Sequence, residues 1–158
     1  MKEALLEVLD TAFDLYPEDA AERALLLKLG HVVELKKGAK FIMEGEKADN
    51  FYIIVKGNVR ITMDAYKTPV TIYTAAAGEM VGWSSLVEPR LYKGNGISDS
   101  DVTLLKFETH ELRAEMKANP KLGYLVMYRV SQFLSTRLLH SMFELVSEFA
   151  DQKDSVGA

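Results

Sequence analysis

The apolar positions of this chain fall into three regimes of spacing, and each regime specifies a different kind of element. Between Lys2 and Leu29 they recur at helical intervals, at Leu5, Leu6, Leu9 and Phe13 and again at Ala20, Ala24, Leu25 and Leu27. Pro17, followed by Glu18 and Asp19, opens the second of two short helices. Proline loses nothing in a first turn, and acids there meet the positive helix end. From His31 to Phe107 the period falls to two, with turn residues roughly every ten positions, the pattern of many short antiparallel strands. The spacing predicts strands over Val32–Leu35, Lys40–Met43, Asn50–Val55, Asn58–Met63, Pro69–Tyr73, Glu79–Val81 and Val102–Phe107. Turns are predicted at Lys37-Gly38, Glu44-Gly45-Glu46, Lys56-Gly57-Asn58 and Ala77-Gly78-Glu79. The middle of the chain is therefore a compact antiparallel barrel or jelly roll.

After Thr109 glycine becomes rare, and a helix over Glu111–Asn119 ends before Pro120. Leu122, Val126, Val130, Phe133, Leu134, Leu138, Met142, Leu145 and Phe149 then follow at steps of three and four. That predicts one amphipathic helix of roughly eight turns from Lys121 to Phe149. The polar residues 151–158 are expected to be a flexible tail. The fold class is α+β, mainly β: one domain over 1–150, with N-terminal helices in 1–29, a β-roll in 31–107 and C-terminal helices in 110–149. So long a helix cannot bury every apolar residue on one small barrel. Self-pairing through Val130, Leu134, Leu138, Met142 and Leu145 answers this most simply. The alternative is that the helix folds back on the barrel and the N-terminal helices. Arg129 and Arg137 interrupt some heptad registers, which leaves parallel and antiparallel packing both open.

Composition narrows the function classes. The 158 residues are 48% apolar, ample for one core but short for two full domains. Nineteen Lys and Arg face 23 Asp and Glu, a net charge of −4, which gives no basis for binding a polyanion. There is no cysteine, so disulfides and thiolate chemistry are excluded. Met1 to Glu7 carries acids where a signal peptide has a basic flank and an apolar run, and no stretch is long and apolar enough to span a bilayer. A cytoplasmic protein is expected. Glu44, Glu46 and Asp49 have the oxygens a hard cation takes, but they lie in a turn, and no metal is expected. His31, His110 and His140 are widely spaced and lack the His-x-His pattern of a metal-binding cupin. No nucleophile–base set, paired acids or phosphate loop stands out, so the chain is not expected to be an enzyme.

The words inside the β region narrow the choice further. Gly38 and the run from Phe41-Ile42-Met43-Glu44-Gly45-Glu46 through Asn50-Phe51-Tyr52-Ile53-Ile54-Val55-Lys56-Gly57 to Ile61 resemble the front half of cyclic nucleotide-binding domains. Gly78-Glu79-Met80-Val81-Gly82 resembles the lead-in to that family's phosphate-binding cassette, and Pro89-Arg90 resembles its end. Leu134-Ser135-Thr136-Arg137-Leu138 is similar to the dimer helix of catabolite-activator-type regulators, and the resemblance covers roughly residues 12 to 140. It implies a sensor domain in which backbone N–H groups after a Gly and a later Arg hold a cyclic phosphate, while a Glu directly after that Gly takes the ribose.

At the cassette the sequence departs from this pattern. Gly82 holds the glycine position, but Trp83 stands where the ribose-binding Glu is found, followed by Ser84 and Ser85. Indole only donates hydrogen bonds, so it cannot accept one from a sugar hydroxyl. Trp83 either plugs the cavity as core or caps a remodelled pocket. Ser84 and Ser85 either donate to an anion or cap a short helix. Arg90 either binds an anion or pairs with Glu88, and the stretch from Gly82 to Arg90 is a residue or two shorter than the family's usual cassette. Glu79 either replaces the missing Glu or is a solvated turn residue. Leu91-Tyr92 takes the place of small residues, and Lys93-Gly94-Asn95-Gly96 puts glycines where a strand runs against the ligand, which predicts a bulge or a close backbone approach.

In the family's transcription regulators a DNA-reading module of about 70 residues follows the long helix. Only residues 150–158 follow Phe149 here, so direct DNA binding is not expected. The expected function is a non-catalytic sensor that binds a small anionic ligand in the β-roll and signals through its C-terminal helix to a dimer mate or a separate protein. No obligatory cofactor is expected; the resemblance implies cAMP, cGMP or another small anion. The alternative is a ligand-free dimeric interaction module in which Trp83 fills the former nucleotide pocket.

Overall fold

The computed structural model describes residues 1–65 and 68–156. Helix α1 (Lys2–Phe13) leads through a 3₁₀ turn at Pro17–Asp19 into α2 (Ala20–Leu29). Eight strands follow: β1 (His31–Leu35), β2 (Lys40–Ile42), β3 (Asn50–Lys56), β4 (Val59–Ala65), β5 (Thr68–Ala75), β6 (Met80–Val81), β7 (Asn95–Ser98) and β8 (Val102–Glu108). The chain ends in α3 (Thr109–Ala118) and α4 (Pro120–Val156). The strands form two four-stranded antiparallel sheets, ordered β1-β8-β3-β6 and β2-β7-β4-β5. This is the expected α+β fold, with a β-roll between N-terminal and C-terminal helices.

The central strands β3 and β8 bury apolar residues on both faces, interrupted in β8 by Thr103 and Lys106. Phe51 and Ile53 of β3 join Leu105 and Phe107 of β8 in a core shared with the helices. Tyr52, Ile54, Val102 and Leu104 point the other way, into the core between the sheets. Alternation needs one wet face, and this pair has none. Phe13 of α1 packs on Phe51 and Phe107 with ring centroids 6.3 and 6.5 Å apart, and this ties the N-terminal helix to the sheet. Leu122, Val126 and Val130 of α4 complete the same core.

Strand β7 was not among the strands expected from the pattern. Its sequence, Asn95-Gly96-Ile97-Ser98, has one good strand former, yet it pairs with both β2 and β4. Close approach explains the glycines. A Cβ on Gly94 would stand 2.8 Å from the Thr62 carbonyl oxygen, and one on Gly96 would stand 3.0 Å from Ile42 Cβ. Helix α4 runs on to Val156, past the end expected at Phe149; Gly157 and Ala158 lie outside the described residues.

Two arginines that break the heptad pattern of α4 face its own chain. Arg129 donates to the carbonyl oxygens of Ala12 and Thr11, at the negative end of α1. Arg137 lies over the Tyr73 ring, 3.8 Å from its centroid. Val130, expected at a dimer face, is 1% exposed in its own core, and Leu134 packs against that core. Among the described residues, no helix is long and apolar enough to cross a membrane.

At its start α4 is clasped to α2. Lys121 Nζ lies 2.8 Å from Asp19 Oδ1 and 3.3 Å from Glu22 Oε2, and both acids are buried. The Lys121 hydrogen bond, then the Tyr16 N–H, lowers the Asp19 carboxyl below its usual range, and Asp19 in turn raises Lys121. A lowered carboxylate stabilises the fold above its unfolded value of about 3.9 and loses that contribution as pH falls through the folded value. A raised ammonium does so below about 10.4 and loses it as pH rises through its own folded value. Asp19→Asn should therefore lower the melting temperature at neutral pH, and the gap to the parent should close in acid. Thermal melts from pH 3 to 7 measure this; a gap that does not narrow on acidification would assign the loss to packing.

Candidate functional site

The connection from β6 to β7 carries most of the residues singled out in the sequence, and its geometry begins at Gly82. That residue has φ 81° and ψ 24°, and a Cβ there would stand 2.8 Å from the Asn50 carbonyl oxygen. Positive φ and contact with β3 together demand glycine. A 3₁₀ turn over Trp83–Leu86 follows. Ser85 is fully buried and turns its hydroxyl onto the Gly82 carbonyl oxygen at 2.8 Å. Among the described residues Ser84 makes no such bond, although it is only 6% exposed. It borders a cavity of about 150 Å³ in the mouth of the roll.

Ile42, Ile61, Met63, Ile72, Tyr73 and Tyr92 form most of that cavity's wall, with half-buried Trp83 on one side. Lys93 is its one charged residue and is exposed. A second cavity of about 110 Å³ lies under α4 and is bounded by Phe133, Leu134 and Arg137. Ile72, Tyr73 and Trp83 belong to both walls. Trp83 is thus a partition between the interior of the roll and the long helix, neither a fully packed plug nor an open surface.

The charged candidates lie elsewhere. The Arg90 guanidinium is on Glu88, with Nη2 2.7 Å from Oε1, and Arg90 does not border the cavity. Its backbone carries the local structure instead: its carbonyl accepts from Ala48 N–H, while Tyr92 exchanges hydrogen bonds with Glu46 and Gly45 across the Lys47–Leu91 bridge. This pairing drives the Tyr92 ring into the roll, where its hydroxyl donates to the Asn50 carbonyl oxygen at 2.8 Å and accepts from the Asn50 N–H. Glu79 accepts from the Ala76 N–H at 2.7 Å and faces Arg137 at 3.5 Å, outside the cavity. The expected set therefore divides: Gly82, Trp83 and Ser84 border the cavity, Ser85 supports the turn, and Arg90 and Glu79 stand apart.

Electrostatically the cavity is quiet. Burial pushes the Tyr73 phenol up to about 12, partly offset by Arg137, and raises Tyr52 and Tyr92 as well. These hydroxyls are neutral donors at any physiological pH. Among the described residues, no group of three or more His, Asp or Glu is placed to hold a metal ion.

Ile72, Tyr73, Tyr92 and, beside the second cavity, Arg137 are among the residues that sequence reasoning did not assign to the site. One signal pointed to Arg137. It stands four positions after Phe133, on the apolar side of the helix, and a cation there requires a partner such as an aromatic face.

A family model described as cyclic nucleotide-binding domain matches residues 32–119. No curated protein matches the chain. Among solved structures, a cyclic nucleotide-binding domain from Methylobacillus flagellatus is 20% identical with a TM-score of 0.80, over 92% of this chain and 83% of that one. Thermus thermophilus catabolite activator protein is 23% identical with a TM-score of 0.69, over 83% of this chain and 59% of that one. The regulatory domain of Toxoplasma gondii PKA, crystallised with cAMP, is 21% identical with a TM-score of 0.67, over 80% of this chain and 48% of that one.

A partition between two voids is worth less than a packed core ring. Trp83→Ala should cost about 2 kcal/mol, below the roughly 3 to 5 typical of a fully buried aromatic. Urea unfolding followed by circular dichroism measures it. A loss of about 4 kcal/mol or more would make Trp83 a core plug, and one under about 1 would make it a surface residue.

Proposed function

The chain belongs to the cyclic nucleotide-binding domain family, and from that premise we propose that it is a non-catalytic regulatory module that works as a homodimer through α4. The observation that carries this reading is the change of face along that helix. Leu122, Val126, Val130, Phe133 and Arg137 lie on the side packed against the chain's own roll and N-terminal helices. Continued at about 100° per residue, that side becomes polar, with His140, Glu144, Ser147 and Glu148. The apolar residues Leu138, Leu139, Met142, Leu145, Val146 and Phe149 are each more than half exposed and lie on the far side. Tyr124 and Tyr128, stacked and exposed, share that outer side nearer the helix start.

A chain cannot cover the far side of its own helix by folding back along the near side. A second copy related by a twofold axis presents the same apolar arc and covers both at once. In this reading the interface takes Leu138, Met142 and Leu145, with Leu139, Val146 and Phe149 added, while Val130 and Leu134, also proposed from the sequence, pack on the chain's own core.

For the input, the geometry speaks against an anionic ligand, because Trp83 takes part of the former nucleotide space and leaves only a small cavity beside it. Family membership supports a cyclic nucleotide. Against it, among the described residues no guanidinium or carboxylate borders the cavity, Arg90 is engaged by Glu88, and Trp83 and Tyr92 take up interior volume.

Light scattering should find a dimer, and Leu138→Glu combined with Leu145→Glu should give a monomer with unchanged circular dichroism. A double variant that stays dimeric would move the interface elsewhere. Neither cAMP nor cGMP should raise the melting temperature. A ligand at 100 times its dissociation constant adds about 2.7 kcal/mol, several degrees for a domain of this size, so a shift of that order would restore the anionic reading.

A further inference from the structure

We propose that the cavity beside Trp83 binds a single uncharged aromatic ring carrying one hydrogen-bonding group, of the phenol class. The proposal rests on the reading of the chain as a regulatory module and supplies its input. Size is the first argument. At about 150 Å³ the cavity is below the roughly 300 to 1,000 Å³ of sites for larger ligands, while apolar cavities near 150 Å³ take up benzene. A fused base with its sugar and phosphate is far larger than one ring.

Chemistry is the second argument. Ile61, Met63 and Ile72 offer aliphatic contact, and Tyr73, Trp83 and Tyr92 offer ring faces and edges suited to aromatic stacking. A carboxylate or phosphate placed against this mostly apolar lining would lose part of its water, and Lys93, the one charged residue there, is exposed and offers only a screened partner. Besides the aromatic donors of Tyr73 and Trp83, the wall carries one small hydroxyl. Ser84 is more than nine-tenths buried on the cavity wall, and among the described residues its hydroxyl has no protein partner, so it can pair with one phenolic hydroxyl.

Fluorine NMR on 4-fluorophenol, with 4-fluorobenzoate as the charged control, tests this on the full chain. The fluorophenol signal should shift and broaden with protein and recover when phenol is added in excess; the fluorobenzoate signal should not change. Ile61→Phe, which fills the cavity, should abolish the effect in a folded protein, and Ser84→Ala should weaken binding about threefold to tenfold, the loss of one hydrogen bond. An unperturbed fluorophenol signal, equal binding of fluorobenzoate, displacement by cAMP, or full affinity in Ser84→Ala each overturns the proposal. Light scattering on the same sample separates the two readings. A dimer that ignores fluorophenol sinks the ligand and leaves the module, whereas a monomer sinks the module whether or not the ring binds.

Discussion

The β3–β8 pair has no solvent-facing side, and the rest of the molecule is arranged to satisfy that condition. A strand apolar on both faces needs a layer over each. The second sheet supplies one layer, through Ile42, Val59 and Ala75, and the helices supply the other, through Phe13, Leu112, Leu122 and Val126. The helices are therefore part of the roll's core. Arg129 on the α1 carbonyls and Lys121 between Asp19 and Glu22 orient them on that layer.

That arrangement was largely legible in the sequence. The unbroken run Phe51-Tyr52-Ile53-Ile54 announced a strand buried on both faces, and glycines at 38, 45, 57 and 78 marked turns that do have positive φ. Strand β7 was hidden because its identity is set by neighbours. Gly94 and Gly96 are required by the approach of Thr62 and Ile42, and Asn95 is buried because its side chain accepts from the Glu44 N–H at 3.0 Å. Neither Asn95 nor Gly96 has strand propensity, and only the tertiary context makes them part of a strand.

The long helix shows how a correct element can hide its meaning. Leu122, Val126, Val130, Leu134, Leu138 and Met142 look like one stripe, but each step of four overshoots the helical repeat by about 40°. Over five steps the line migrates to the opposite side of the helix, so the same pattern first docks α4 on its own roll and then turns outward. Burial follows this migration: Val130 is 1% exposed and Leu138 is 63% exposed. At the site, spacing located Gly82 and Trp83 but not Tyr73, because a partner on another strand leaves no trace in local pattern.

The migrating stripe and the cavity meet at Arg137. This residue sits where the outward turn begins, and its guanidinium has three neighbours on the roll side: the Tyr73 ring at 3.8 Å, the Phe133 ring at 5.2 Å and Glu79 at 3.5 Å. A partly desolvated cation over an aromatic face is worth about 0.5 to 2 kcal/mol, comparable to the exposed ion pair at best. Tyr73 is therefore one of the two groups of the roll, with Glu79, that hold α4 at Arg137. Tyr73 is also a wall of the cavity, with Trp83 beside it. The position of that one ring thus bears on both the interior volume of the roll and the direction in which the outer face of α4 leaves it, and a single Arg on the apolar side of a helix is enough to make the connection.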